Sequence, residues 1–84
     1  MTIWYGTPSL EAMNERSRNS LAETLGIRFT EIGDDYLTGT MPVDNRTRQP
    51  RGYLHGGASV ALAETVGSFA AALCVDIDNK ILFG

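Results

Sequence analysis

The feature that most constrains this chain is the run from Ala58 to Cys74, rich in alanine and leucine, in which Glu64 is the only charged residue. Alanine and leucine are strong helix formers, so the run predicts one central helix over 58–74. Its apolar residues are not confined to one stripe, and in a globular protein a helix that is apolar nearly all round is enclosed by other structure. Glu64, with the interruptions at Ser59, Thr65 and Ser68, argues against a membrane span.

The rest of the chain has to supply that enclosure. Residues 1–26 read as a helical segment: Thr7 can cap a helix with Pro8 in its first position, and Leu10, Met13 and Ser17 then share a side. Ser20-Leu21-Ala22-Glu23 has capping-box spacing, and Gly26 stops a brief helix from Leu21 to Leu25. Residues 27–43 read as a β-hairpin, with extended segments Ile27 to Ile32 and Tyr36 to Val43 around Gly33-Asp34-Asp35. In the second segment Leu37, Gly39 and Met41 face one side and Tyr36, Thr38 and Thr40 the other, the period of a half-buried strand. Residues 44–57 are a polar loop containing Pro50 and Gly52, of a length that is often functional. Asp76 to Lys80 reads as a turn, and Ile81-Leu82-Phe83 as the opening of a third strand. The expected class is α+β in one domain, 1–84. Two strands and the start of a third cannot cover a long apolar helix, so part of the cover is missing or comes from another chain.

Composition narrows the function classes. Eighty-four residues make one domain with a thin core, and 43% hydrophobic with 20% charged residues is the make-up of a folding, soluble chain. Seven Lys and Arg against ten Asp and Glu leave no surplus positive field, which excludes nucleic acid as the expected partner. Arg46, Arg48 and Arg51 share the loop; solvation is the ordinary reading, and attraction of a phosphorylated ligand the sharper one. Cys74 is the only cysteine, so no intrachain disulfide forms, and a buried reduced thiol suits the cytoplasm. The first eight residues have neither a basic region nor an apolar core, so no secretion signal is expected.

Two features invite a chemical reading. Leu54-His55-Gly56-Gly57 stands just before the central helix, where amides without intrahelical partners and the helix dipole favour an oxyanion or a polarised carbonyl. A glycine-rich turn that only admits the chain into the helix explains the same residues, and His55 is equally readable as a structural or a catalytic histidine. Glu64 is the second feature. A carboxylate in apolar surroundings is costly, which makes it a candidate general base or nucleophile unless it lies on a solvent-facing edge. Ser68, four residues on, and Thr65 are close enough to orient Glu64 or a water. Gly56 and Glu64 stand about 12 Å apart along one helix, too far to act on one carbonyl. Two antiparallel copies of the helix in a dimer would bring them together.

The stretches Met41-Pro42-Val43-Asp44, Arg46-Thr47, Gln49-Pro50, Gly52, Leu54-His55-Gly56-Gly57-Ala58-Ser59 and Leu62-Ala63-Glu64 closely resemble the hotdog-fold acyl-CoA thioesterases. The nearest branch acts on aryl- and hydroxyaryl-acyl-CoA and includes phenylacetate-pathway and dihydroxynaphthoyl-CoA hydrolases. The resemblance runs from Leu25 to the C-terminus and corresponds to the N-terminal half of such proteins, the sheet being cut off at the start of its third strand. It implies an antiparallel sheet wrapped around a long central helix, and active sites at the interfaces of a homodimer or homotetramer. It also implies roles: Gly56 as the amide that polarises the thioester carbonyl, and Glu64 as the catalytic carboxylate from the opposite subunit. Gln49 helps place the carbonyl or water, His55 lies beside the thioester, and Ser68 holds the water. No cofactor and no metal is called for. Two hypotheses follow: hydrolysis of an acyl-CoA, with an aryl or medium-chain acyl group, or a non-catalytic truncated hotdog protein that oligomerises and binds acyl groups.

Overall fold

The computed structural model describes residues 2–75. Five elements follow one another: α1 (Leu10–Arg16), α2 (Leu21–Leu25), β1 (Arg28–Ile32), β2 (Leu37–Thr40) and α3 (Gly56–Leu73). The expected turn at Asp76 to Lys80 and the strand opening at Ile81 to Phe83 lie outside the described residues.

Serine, not threonine, caps α1. Ser9 has extended backbone and its Oγ accepts from Ala12 N–H at 3.2 Å, so the helix begins two residues later than Thr7-Pro8 suggests. Met13 and Ser17, expected on one side of the helix, are both buried, and the Ser17 hydroxyl donates to Met13 O at 3.1 Å. Asn14 docks the helix onto the sheet. Its Nδ2 donates to Phe29 O (3.1 Å) and its Oδ1 accepts from Phe29 N–H (2.9 Å), so the side chain pairs with β1 much as a neighbouring strand would.

α2 has the predicted span and the predicted left-handed stop at Gly26 (φ 77°). The capping box does not form. Asn19 has a positive φ of 59°, which presents its own amide to Glu23 Oε2 and turns the Ser20 hydroxyl back to donate to Ser17 O. Ile27 N–H closes the helix on Ala22 O (2.8 Å), so Ile27 is buried but unavailable to the β ladder, and β1 starts at Arg28.

The hairpin is antiparallel, with Phe29 opposite Gly39 and Ile32 opposite Leu37; a bulge lies between Phe29 and Glu31. Along β2 the half-buried Leu37 and Gly39 alternate with exposed Thr38 and Thr40, the predicted pattern. The strand is shorter than Tyr36 to Val43 because Pro42 has no N–H to offer the ladder. Gly39 lies against α3: a Cβ there would sit 2.6 Å from Val66 Cγ2. On the neighbouring strand the Phe29 ring meets Phe69 of α3, centroids 4.6 Å apart and planes at 54°. Trp4, Met13, Ala22, Ile27, Phe29 and Ala58 make up the buried apolar core. The N-terminal segment clasps it, with Ile3 N–H on Asp34 O (2.9 Å), Trp4 Nε1–H on Gly33 O (2.7 Å) and Tyr5 N–H on Leu73 O (2.7 Å).

Enclosure of the central helix is not what the described residues show. Ala58 is the one buried residue of α3, and Val60 is 68% exposed. The reason is geometric: strands spaced about 4.8 Å apart make a two-stranded sheet too narrow to cover a helix about 27 Å long. Cys74, expected to be buried, is exposed at the C-cap of α3, beyond the turns that touch Phe29 and Gly39. By length and composition alone α3, with a mean hydropathy of 1.3, could cross a membrane; Glu64 stands inside that stretch.

Candidate active site

The polar segment before α3 is an ordered lobe rather than an open loop. Thr47 anchors its beginning and is 1% exposed. Its hydroxyl donates to Pro42 O (2.7 Å) and accepts from Asp44 N–H (3.0 Å). Beyond it Arg48 and Leu54 form an antiparallel bridge, Gln49 N–H donates to Tyr53 O (2.7 Å), and Gly52, at φ 91°, carries the turn. The lobe closes where His55 N–H donates to Thr47 O at 2.7 Å. A side chain buried beneath Pro42 therefore fixes the residue that precedes α3.

Half-buried Gln49 is held by the same turn, its Oε1 accepting from Arg51 N–H. That contact occupies the carbonyl end of the side chain and leaves the Nε2 amide as its donor. Of the three arginines, Arg46 grips Asp44 through Nε (3.2 Å to each oxygen) and Nη2 (2.6 Å). Hydrogen bonding to the guanidinium holds Asp44 below the usual carboxylate range, and the carboxylate in turn raises Arg46. Arg48 Nη2 donates to Asn45 Oδ1. These two arginines hold the lobe's own turns, a role that neither reading of their sequence named.

At the start of α3 the unpaired amides can be counted. The helix begins at Gly56, two residues earlier than predicted, with His55 as its N-cap. His55 N–H is taken by Thr47 O, Gly57 N–H donates to His55 Nδ1 (2.8 Å), and Ala58 N–H donates to His55 O (3.0 Å). Four amides at a helix N-terminus lack intrahelical partners. Here, among the described residues, only Gly56 N–H is left without one, and a Cβ built on Gly56 meets nothing within 4 Å. The free amide stands at the positive end of an 18-residue helix.

Two turns along, Ser68 Oγ donates to Glu64 Oε1 at 2.8 Å, the four-residue relation read from the sequence. Glu64 itself is exposed, so the desolvation expected from an enclosed helix is not present in the described residues. The pair stands in the wall of a groove of about 680 Å³ between α1 and the later turns of α3, shared with Pro8, Ala12, Met13 and Phe69. The structure thus gathers Gln49, His55 and Gly56 at one end of α3, and Glu64 with Ser68 about 12 Å along the helix. Two residues outside the predicted set shape the first cluster, Thr47 and Gly57. Thr47 was legible only as a threonine three residues after Asp44, the spacing of a side-chain-closed turn.

No family model matches the chain. It is 57% identical, over its whole length, to a putative esterase of Pseudomonas aeruginosa, PA1618, of which it covers 58%. It is 51% identical over 80 residues, 95% of the chain, to the 1,4-dihydroxy-2-naphthoyl-CoA hydrolase of Escherichia coli, of which it covers 59%. The crystal structure of the Pseudomonas aeruginosa thioesterase PA1618, as its Q49A variant, superposes with a TM-score of 0.89 at 53% identity, covering 92% of this chain and 55% of that one. The chain spans little more than half the length of the curated relatives it matches. Identity of this order along nearly the whole chain, joined to a shared backbone, shows that it has the fold of about the N-terminal half of these hotdog-fold thioesterases.

Proposed function

We propose that this chain supplies the catalytic lobe and helix of an acyl-CoA thioesterase, which with water converts the thioester to a free acid and CoA. One arrangement carries the reading: α3 begins with a single unengaged N–H at Gly56 and bears, further along, a carboxylate held by a hydroxyl, Glu64 on Ser68. The amide is a donor for the oxygen that gains charge when a thioester carbonyl is attacked. Glu64 acts on the carbonyl carbon, as nucleophile or as the base for a water that Ser68 helps to hold. Gln49, with its amide nitrogen as donor, positions the thioester from the Gly56 end, where His55 lies beside it. The groove beside Glu64 takes the acyl group, and its apolar wall suits an aryl or medium-chain acyl. The relative named for 1,4-dihydroxy-2-naphthoyl-CoA supports the aryl choice. Because about 12 Å separates Gly56 from Glu64 along α3, each site draws the amide from one protomer and the carboxylate from another, in a homodimer or a dimer of dimers in the cytoplasm.

The test is release of CoA thiol from benzoyl-CoA or phenylacetyl-CoA. Glu64→Ala is expected to abolish it; a variant as fast as wild type removes the carboxylate from the mechanism. Mixing Glu64→Ala chains with Gly56→Pro chains tests the shared site, because random pairing rebuilds one intact site in each mixed dimer, about a quarter of wild-type activity. A well-folded oligomer that releases no thiol points instead to a protein that only holds acyl groups.

A further inference from the structure

We infer that His55 and Gly57 form a positioning pair whose work is to leave Gly56 N–H as the only unengaged amide at the head of α3. The inference rests on the reading of Gly56 given above and concerns residues that act through it. Gly57 N–H would otherwise be a second donor one residue away, competing for the same carbonyl oxygen in a different direction. His55 Nδ1 takes it, at 2.8 Å. The contact also defines the ring. A nitrogen that accepts carries no proton, so the proton of the imidazole sits on Nε2. His55 is itself pinned through its backbone N–H to Thr47 O, so the ring's position derives from the buried threonine of the lobe.

Gly57 is the other half of the pair, and the reason is steric. A Cβ at this position would lie 2.9 Å from His55 Nδ1 and 3.0 Å from Cε1, inside normal contact distance. Any side chain at 57 would push the imidazole off the amide it caps. By contrast a Cβ on Gly56 meets nothing from elsewhere in the described residues within 4 Å, so the ring at His55 constrains the second glycine and not the first.

The prediction is a rescue pattern. His55→Ala frees the Gly57 amide and should lower kcat about tenfold with KM nearly unchanged, a smaller loss than deleting an oxyanion donor outright. Asparagine is among the best helix caps, so His55→Asn should return kcat to within about threefold of wild type. Gly57→Ala, which removes no polar group, should cost about as much as His55→Ala and little more in its presence, since both act on one contact. Nitrogen-15 spectra of the imidazole in the wild-type chain should show an unprotonated Nδ1 and a protonated Nε2. A ring protonated at Nδ1, a His55→Asn chain as slow as His55→Ala, or a Gly57→Ala chain as fast as wild type overturns the pairing. If wild type releases no thiol at all, the functional reading has failed, and the ring spectrum still decides whether the cap exists.

Discussion

Gly56→Pro removes one hydrogen atom from the proposed chemistry and almost nothing from the fold. Gly56 is the first residue of α3, the position where proline is best tolerated because its missing N–H would have no helical partner. The residue before a proline is confined to extended backbone, and His55 is already there at φ −69°, ψ 132°. Apart from its chain neighbours and the helix's own backbone, no atom of the described residues lies within 4 Å of a Cβ at 56. Stability should therefore stay level or rise by up to about 1 kcal/mol as the unfolded chain loses freedom. Catalysis should not survive so well. Loss of one preorganised donor to an oxyanion lowers kcat by about 10²–10³, or roughly 3–4 kcal/mol in the barrier. Gly56→Ala is the companion variant: it keeps the N–H, adds a methyl to empty space, and should remain within a few-fold of wild type. Thiol release gives kcat and KM for the three chains, and thermal unfolding followed by circular dichroism shows that the proline variant is folded. A proline chain that turns over at the wild-type rate would show that the Gly56 amide is not the group that polarises the carbonyl.

Three further expectations follow from other contacts. Ser68→Ala removes the 2.8 Å bond to Glu64 and should lower kcat about tenfold, about 1.4 kcal/mol, with thermal stability unchanged; equal rates would remove Ser68 from the site. Thr47→Val keeps the shape of a buried side chain but strands Pro42 O and Asp44 N–H, a loss of about 2 kcal/mol. In a domain of this size that lowers Tm by about 8–16 °C, while Thr47→Ser, which keeps the hydroxyl, should fall less; the opposite order refutes the account. Asp44 has its folded-state pKa lowered by Arg46, so the stability it adds is present above the ordinary aspartate value of about 3.9 and is lost as pH falls through the lower folded value. The gap between the urea midpoints of wild type and Asp44→Asn should begin to narrow as pH falls below about 3.9, and a gap that is constant with pH would contradict this.

What could be read from the residues in advance was local. Alanine and leucine composition revealed α3, period-two alternation revealed the inward face of β2 at Leu37 and Gly39, and the i, i+4 relation brought Ser68 to Glu64. Gly26 stopped α2 because few other residues adopt a positive φ readily. The misreadings were of competition or of surroundings. Ser20 has the right spacing to cap α2, yet a nearby carbonyl, Ser17 O, claims its hydroxyl. Ser9 outcompeted Thr7 as the cap of α1. The grip of Asn14 on Phe29 crosses from helix to strand and has no local signature. Burial of α3 and desolvation of Glu64 depend on what lies over the helix, which no periodicity in the helix itself encodes.

The clasp from Tyr5 N–H to Leu73 O joins the beginning of the chain to the last turn of α3. In kinetic terms it is a closure across nearly the whole sequence, and the entropy of bringing such distant ends together must be met before the contact contributes anything. The hairpin and α3 can form from near neighbours, whereas the clasp has to wait for both. It is a latch set last, and the bonds set last, on an exposed terminal segment, are among the first to open in native fluctuations. Leu73 also lines the groove beside Glu64. The clasp thus ties a residue near the start of the chain to one in the wall of that groove, so its opening would be felt there.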